Sequence, residues 1–369
     1  MEKLNKYISI TISLIIITFS IWFILIDKKE FSDNEFRYLE KWPTLTFDSL
    51  FEGEYIKSLE SYFTDHFPLR DNFVELKTKV YYDLGQRLIN NVYIADDNFL
   101  INKFDKPQNS DKIIDILNKF QLNNKDINIE MIISPTSTSI YSNLLPNNNI
   151  NYSEKDAIDY YYNNLNINTI DIYNALLEQK ENYQLFYKTD HHWTTYGAYF
   201  AYKKYCEVNN IECYSIEDFN IELVSNEFLG TTYSKIFWNK DSKDEIYAFN
   251  LNNSNFTVEY LNKTTNSLYN NEYLNKKDKY SYFLDNNQPL IKITNNNIKN
   301  DNEILIIKDS YANTFIPLLA NNYKKIHVID PRYYNLSISE YIKENNINNV
   351  LLLYNINNID NDLGILNIK

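Results

Sequence analysis

Five short runs of aliphatic and β-branched residues, parted by stretches with helical spacing, constrain this chain more than any other feature. They are IEMIIS (129–134), NTIDIY (168–173), EILIIK (303–308), KIHVID (325–330) and NVLLLY (349–354). Runs this short and this apolar suit strands buried on both faces of a parallel sheet. Helical spacing lies between them at 112–120, 154–165, 194–208, 314–321 and 339–345. Such alternation predicts an α/β fold with a doubly wound, mostly parallel sheet. The segment from about 216 to 300 is rich in Asn and alternates weakly. It is expected to be an insertion of strands and loops before the last βαβαβ unit, and the Asn tracts at 147–151 and 295–300 to be loops.

The N-terminus carries a second constraint. ISITISLIIITFSIWFILI (8–26) is 19 residues without a charge, about one bilayer span at ~1.5 Å per residue. Lys3 and Lys6 precede it, whereas Asp27, Lys28, Lys29 and Glu30 beyond it balance in charge. That bias predicts a short cytoplasmic tail, with everything after Asp27 outside the cell. A cleavable signal peptide is the alternative, but no small-x-small site follows the run, which favours a retained anchor. The expected organisation is therefore a tail and transmembrane helix (1–26), a stalk with N-terminal helices (27–90) and the main α/β domain (91–369), with the Asn-rich segment inside it. In the stalk, helical spacing at 50–63 is broken at Pro68, and a second helix at 73–84 ends at Gly85. Short strands at 92–94 and 99–101 flank the turn ADDN.

A net charge of −13 argues against a nucleic-acid surface, which needs clustered Lys and Arg to neutralise phosphates. Cys206 and Cys213, the only cysteines, are compatible with a local disulfide or with two buried thiols.

Two segments carry residues suited to chemistry. In KDSYANTF (308–315) a strand ends at Asp309-Ser310 and a helix begins soon after. A serine there sits at the carboxyl edge of the sheet, where open α/β folds place ligands and helix N-termini face anions. The same position suits a plain N-cap or loop serine. In YKTDHHWTTYGAYFAYKKY (187–205), two of the chain's four histidines adjoin an aspartate and a tryptophan. With an extended backbone, Asp190 and His192 share a side and His191 points away. An Asp holding one imidazole nitrogen leaves the other free as a base. Thr194 or Thr195 is expected to cap the helix that follows. A purely structural histidine pair remains open. A metal is not expected, because neither H-E-x-x-H nor paired cysteines supply further ligands.

Asp190-His191-His192-Trp193 resembles the motif that names the DHHW family, which is related to the alginate O-acetyltransferase group of SGNH-hydrolase-like proteins. NEFRYLEKWP (34–43), YFTDHFPLRD (62–71), SPTSTSIY (134–141), EFLGTTYSK (227–235) and DPRYYN (330–335) resemble further family segments in the same order. The resemblance implies an SGNH-hydrolase-like fold with Asp190 as acid, His192 as base and Ser310 as nucleophile. It further implies Ser310 N–H as an oxyanion donor, with Thr136 and Tyr311 as possible contributors and Arg332 as a substrate contact. Lys308 departs from the Gly-Asp-Ser of simple esterases. The Asp and His also precede the serine, an order that fits the acetyltransferase relatives.

The activity so implied is O-acetylation of a cell-surface or secreted polysaccharide outside the cytoplasm, through an acetyl-serine and without a cofactor. A membrane-bound O-acyltransferase partner would supply the acetyl group. The alternatives are a polysaccharide acetyl esterase, or a non-catalytic scaffold or glycan-binding subunit of a polysaccharide-export complex.

Overall fold

The structure, a computed structural model, describes residues 2–32, 37–361 and 364–368. Asn34, Glu35 and Phe36, the start of the NEFRYLEKWP segment, lie outside the described residues. The chain divides into two compact units: residues 1–86 with 234–238, and residues 87–233 with 239–369.

In the first unit, α1 (Glu2–Leu25) is long and apolar enough to cross a membrane. The strands β1 (Phe31–Ser32) and β2 (Arg37–Tyr38) pair antiparallel. Helical spacing at 50–63 predicts one helix, but two form: α2 (Phe47–Phe51) and α3 (Glu54–Asp65). The break is Gly53, whose φ of 78° lies in the left-handed region that glycine reaches at no steric cost. The next helix, α4 (Arg70–Asp83), starts three residues before the expected 73, just after Pro68 and Leu69. It ends at Asp83 with Leu84 as its C-cap, and Gly85 follows with φ of 91°.

The second unit opens with a meander of β3 (Leu88–Ile89), β4 (Val92–Ile94) and β5 (Leu100–Asn102). Then come α5 (Ser110–Asn123), β6 (Asn128–Ser134), α6 (Ser137–Ile140), α7 (Glu154–Asn164), β7 (Asn168–Thr169), α8 (Tyr173–Leu177) and α9 (Thr195–Asn209). The run at 168–173 is a strand for two residues only. Asp171 Oδ1 accepts the Tyr173 N–H at 2.8 Å, an Asx turn that diverts the chain into α8.

Next are β8 (Phe219–Phe228), α10 (Thr231–Ile236), β9 (Asp244–Leu251), β10 (Phe256–Glu259), β11 (Thr264–Thr265) and β12 (Leu290–Asn295). The chain closes with β13 (Glu303–Lys308), α11 (Ala312–Leu319), β14 (Lys325–Ile329), α12 (Ile338–Glu344), β15 (Asn349–Asn355) and α13 (Ile356–Asn361).

The main sheet has the order β11-β10-β12-β14-β13-β15-β6-β7. Its last five strands run parallel, while β12, β10 and β11 extend it antiparallel. The Asn-rich segment is thus not simply an insertion. Only β8 and β9 form a separate ribbon, and its other three strands belong to the sheet. In β13, Ile304 and Ile306 pack with α9 and α11, while Leu305 and Ile307 pack with α5, α7 and α12. Both faces of the parallel strands are therefore buried, as their unbroken apolar runs require. Cys206 and Cys213 are free thiols.

Candidate active site

β13 delivers Asp309 and Ser310 to the carboxyl edge of the parallel strands, and α11 follows at Ala312. Asp309 is fully buried and fastens this turn. Its Oδ1 accepts the Tyr311 N–H at 2.8 Å. Its Oδ2 accepts the N–H and Nδ2 of Asn355 at the end of β15 and Nδ2 of Asn358. Burial nonetheless pushes its pKa up against those bonds.

The DHHW segment precedes α9, whose N-cap Thr194 accepts the Gly197 N–H. Residues 188–192 form a turn rather than a strand, and Phe186 and Trp193 bridge across it. Asp244 anchors the turn by accepting from Gln184 Nε2, both backbone N–H groups of Lys188 and Thr189, and the Thr189 hydroxyl. Burial pushes the Asp244 pKa to about 6.

The two segments meet in one hydrogen-bonded line. Asp190 Oδ1 lies 2.5 Å from His192 Nδ1, and His192 Nε2 lies 2.7 Å from Ser310 Oγ. With Nδ1–H donating to Asp190, Nε2 accepts the Ser310 hydroxyl proton. All three residues are buried, Ser310 keeping 7% of its surface exposed. The Asp190 carboxylate also accepts the Thr231 N–H at 2.7 Å and hydroxyl at 2.9 Å, and the His192 N–H at 3.0 Å. Burial opposes its charge, but His191, His192 and these donors outweigh that cost and hold its pKa well below the carboxylate range.

Contrary to the extended-strand expectation, His191 does not point away. The turn lays its ring beside that of His192, tilted by 39° with centroids 3.8 Å apart, and its Nδ1 lies 2.7 Å from Thr231 Oγ1. Ligand atoms of Asp190, His191 and His192 fall within 4.8 Å of one another, so these three could hold an ion.

Several residues beyond those expected shape the site. Tyr280, from the Asn-rich segment, stacks on the other face of His192 at 3.7 Å and 9°. Its hydroxyl donates to the Ser310 carbonyl at 3.0 Å. No sequence pattern marks it. Gly230, in the quoted EFLGTTYSK, packs so closely on Asp190 that a Cβ would stand 2.2 Å from the Asp190 Cβ. Trp193 Nε1 donates to the Tyr311 carbonyl and to Thr314 Oγ1. Lys308 is wholly buried behind the serine, bonded to Asn287 and Asn313 at 2.8 and 2.7 Å and 3.5 Å from Asp330. Burial lowers its pKa to about 8.

The remaining expected residues have other partners. The Thr136 N–H and hydroxyl both donate to Glu154, at 2.8 and 2.5 Å. The Tyr311 N–H goes to Asp309 and its hydroxyl to the His191 carbonyl at 2.5 Å. Arg332 grips Asp330 through Nε at 2.8 Å and Nη2 at 2.6 Å.

A family model described as DHHW protein matches residues 85–329. No protein with a curated description is similar to this chain at a significant level. Among solved structures, a DHHW family protein from Eubacterium siraeum is 26% identical with a TM-score of 0.68, covering 76% of this chain and 96% of that one. Bacillus cereus PatB1 is 22% identical with a TM-score of 0.61, covering 74% of this chain and 98% of that one. PatB1 with a sulfonyl adduct is 21% identical with a TM-score of 0.60, covering 75% and 100%.

Proposed function

This chain belongs to the DHHW family, and on that premise we propose that it is an O-acetyltransferase acting outside the cytoplasm on a cell-surface or secreted polysaccharide. The observation that carries the reading is the unbroken line Asp190–His192–Ser310, with contacts of 2.5 and 2.7 Å, at the carboxyl edge of a parallel sheet. The order of residues, Asp and His before Ser, is the one that fits the acetyltransferase relatives rather than the simple esterases.

In the first half-reaction His192 Nε2 takes the Ser310 hydroxyl proton as Oγ bonds to the carbonyl carbon of the acetyl donor. The tetrahedral oxyanion faces the Ser310 N–H at the start of α11. Its collapse breaks the bond to the donor oxygen, which leaves with the proton from Nε2. In the second half-reaction a sugar hydroxyl gives its proton to Nε2 and its oxygen attacks the acetyl-serine. The Ser310–acyl bond then breaks, and Oγ recovers the proton. Asp190 holds the imidazole in the required tautomer and stabilises the imidazolium that forms at each step. Thr136 and Tyr311 act in this reading by supporting the walls of the site, since their N–H groups are already engaged. Arg332 holds the Asp330 carboxylate in place and ionised beside Lys308.

The chemistry needs no metal or cofactor. It does need an activated acetyl group on the far side of the membrane, and we assign its supply to a membrane-bound O-acyltransferase partner. The test presents the full chain with an acetyl-ester donor and an oligosaccharide acceptor, read by mass spectrometry of the acceptor. Acetyl on the sugar with wild type and none with Ser310→Ala supports the transferase. Release of acetate alone makes the protein an esterase, and absence of both leaves a scaffold.

A further inference from the structure

The helix α1 meets the rest of the first unit through two rings. Of residues 3–25, only Phe19 and Phe23 are partly buried. Phe19 stacks on Phe67 at 5.4 Å and meets Phe73 edge-on at 5.8 Å. Phe23 packs on Phe63 at 5.1 Å and on Tyr62 at 6.2 Å. Phe19 stands two helical turns before Ile26, which is ~10 Å along the axis at ~1.5 Å per residue. Whatever depth Phe19 occupies, Phe67 and Phe73 occupy with it.

We propose that the end of α3, the turn after it and α4 form a collar sunk into the outer interface of the lipid bilayer around α1. The proposal rests on the reading of α1 as a membrane span. A bilayer, rather than a protein, is the occupant because the apolar surface is continuous with the spanning helix. Phe73, Leu76 and Val80 recur at i, i+3 and i+7 along α4 and are 43%, 56% and 46% exposed, with Leu69 in the turn at 48%. This stripe faces away from Thr78, which is buried and donates to the Ile236 carbonyl at 2.7 Å.

The polar groups suit that depth. Asp65, at the end of α3, is neutralised by both Arg37 Nη atoms at 2.8 and 2.5 Å and accepts the Glu40 N–H at 2.8 Å. Lys28 caps the Phe23 carbonyl, with its ammonium 3.5 Å from the centre of the Phe23 ring. Basic side chains that turn back along a span in this way mark its end. Trp42, 60% exposed, rests on Tyr62 at 5.2 Å, an amphipathic pair of the kind that favours the headgroup level.

The unmodified full chain, alone in nanodiscs of phosphatidylcholine and phosphatidylglycerol, is photolabelled with a diazirine carried on a lipid acyl chain. Peptides are then mapped by mass spectrometry. The collar requires label in residues 63–80 as well as in 8–26. Label in 8–26 alone overturns the collar and leaves the face to a protein partner. Absence of label from 8–26, or an intact mass lacking that segment, overturns the span itself and the collar with it.

Discussion

Trp193 and Tyr311 tie the two halves of the site together: the indole Nε1 donates to the Tyr311 carbonyl at 2.8 Å. The same N–H lies 2.7 Å from Thr314 Oγ1 in α11. The loop bearing Asp190 and His192 is thereby registered against the turn bearing Ser310. Trp193→Phe keeps a large apolar ring but removes this donor, leaving the Tyr311 carbonyl with the Thr314 hydroxyl at 3.2 Å. The expected cost is about 0.5–1.5 kcal/mol of stability, measured by urea unfolding, with transfer activity falling alongside.

Tyr280 offers a way to separate ring from hydroxyl. Tyr280→Phe keeps the stack on His192 and loses the bond to the Ser310 carbonyl. At roughly 1 kcal/mol for that bond, kcat should fall less than about tenfold. Tyr280→Ala removes both contacts and frees the imidazole to tilt, so its kcat should fall well below that of the Phe variant. Equal kcat values for the two variants would remove Tyr280 from the site.

Gly230 admits no side chain, because a Cβ there would stand 2.2 Å from the Asp190 Cβ and 2.3 Å from its Oδ2. Gly230→Ala must push the carboxylate off His192. The predicted loss approaches that of Asp190→Asn, about 10⁴-fold by analogy with other triads. Thr231→Ala, which removes one of the donors to Asp190, should lose much less.

Glu154 gives a pH prediction. It is fully buried beneath Thr136, and burial raises its pKa from 4.5 to about 7. The folded chain therefore holds a proton that the unfolded chain releases between those values. Its stabilising contribution is present below pH ~4.5 and lost as pH rises to ~7, on the order of 3 kcal/mol. Glu154→Gln cannot titrate. The stability difference between wild type and Glu154→Gln, followed by urea unfolding from pH 5 to 8, should fall up to about pH 7 and level off above it.

Much of the fold was legible because parallel strands buried on both faces leave unbroken apolar runs. EILIIK is β13 to the residue, and NVLLLY and KIHVID differ from β15 and β14 by one residue at the end. The antiparallel strand β12, which lies between β10 and β14, was missed although LIKITN alternates in burial, because the surrounding asparagines obscure a one-sided pattern. The Asp-x-His spacing suggested a shared side by strand geometry. The chain instead uses a turn, in which the His192 N–H returns to Asp190, and this brings His191 alongside. Tyr280 and Gly230 were not legible as site residues. Their partners lie far along the chain, and close approach in space leaves no periodic trace in a single sequence.

The central claim is that Ser310 is a nucleophile activated by His192 and Asp190. The direct measurement is intact and peptide mass spectrometry of the full chain after brief exposure to a reactive acetyl ester, with a sulfonyl fluoride as a second electrophile. The account predicts one adduct per chain, on Ser310, that is slowed by several powers of ten in His192→Ala and is absent from Ser310→Ala. Adducts spread over lysines and tyrosines, or a Ser310 that labels equally well without His192, would contradict it.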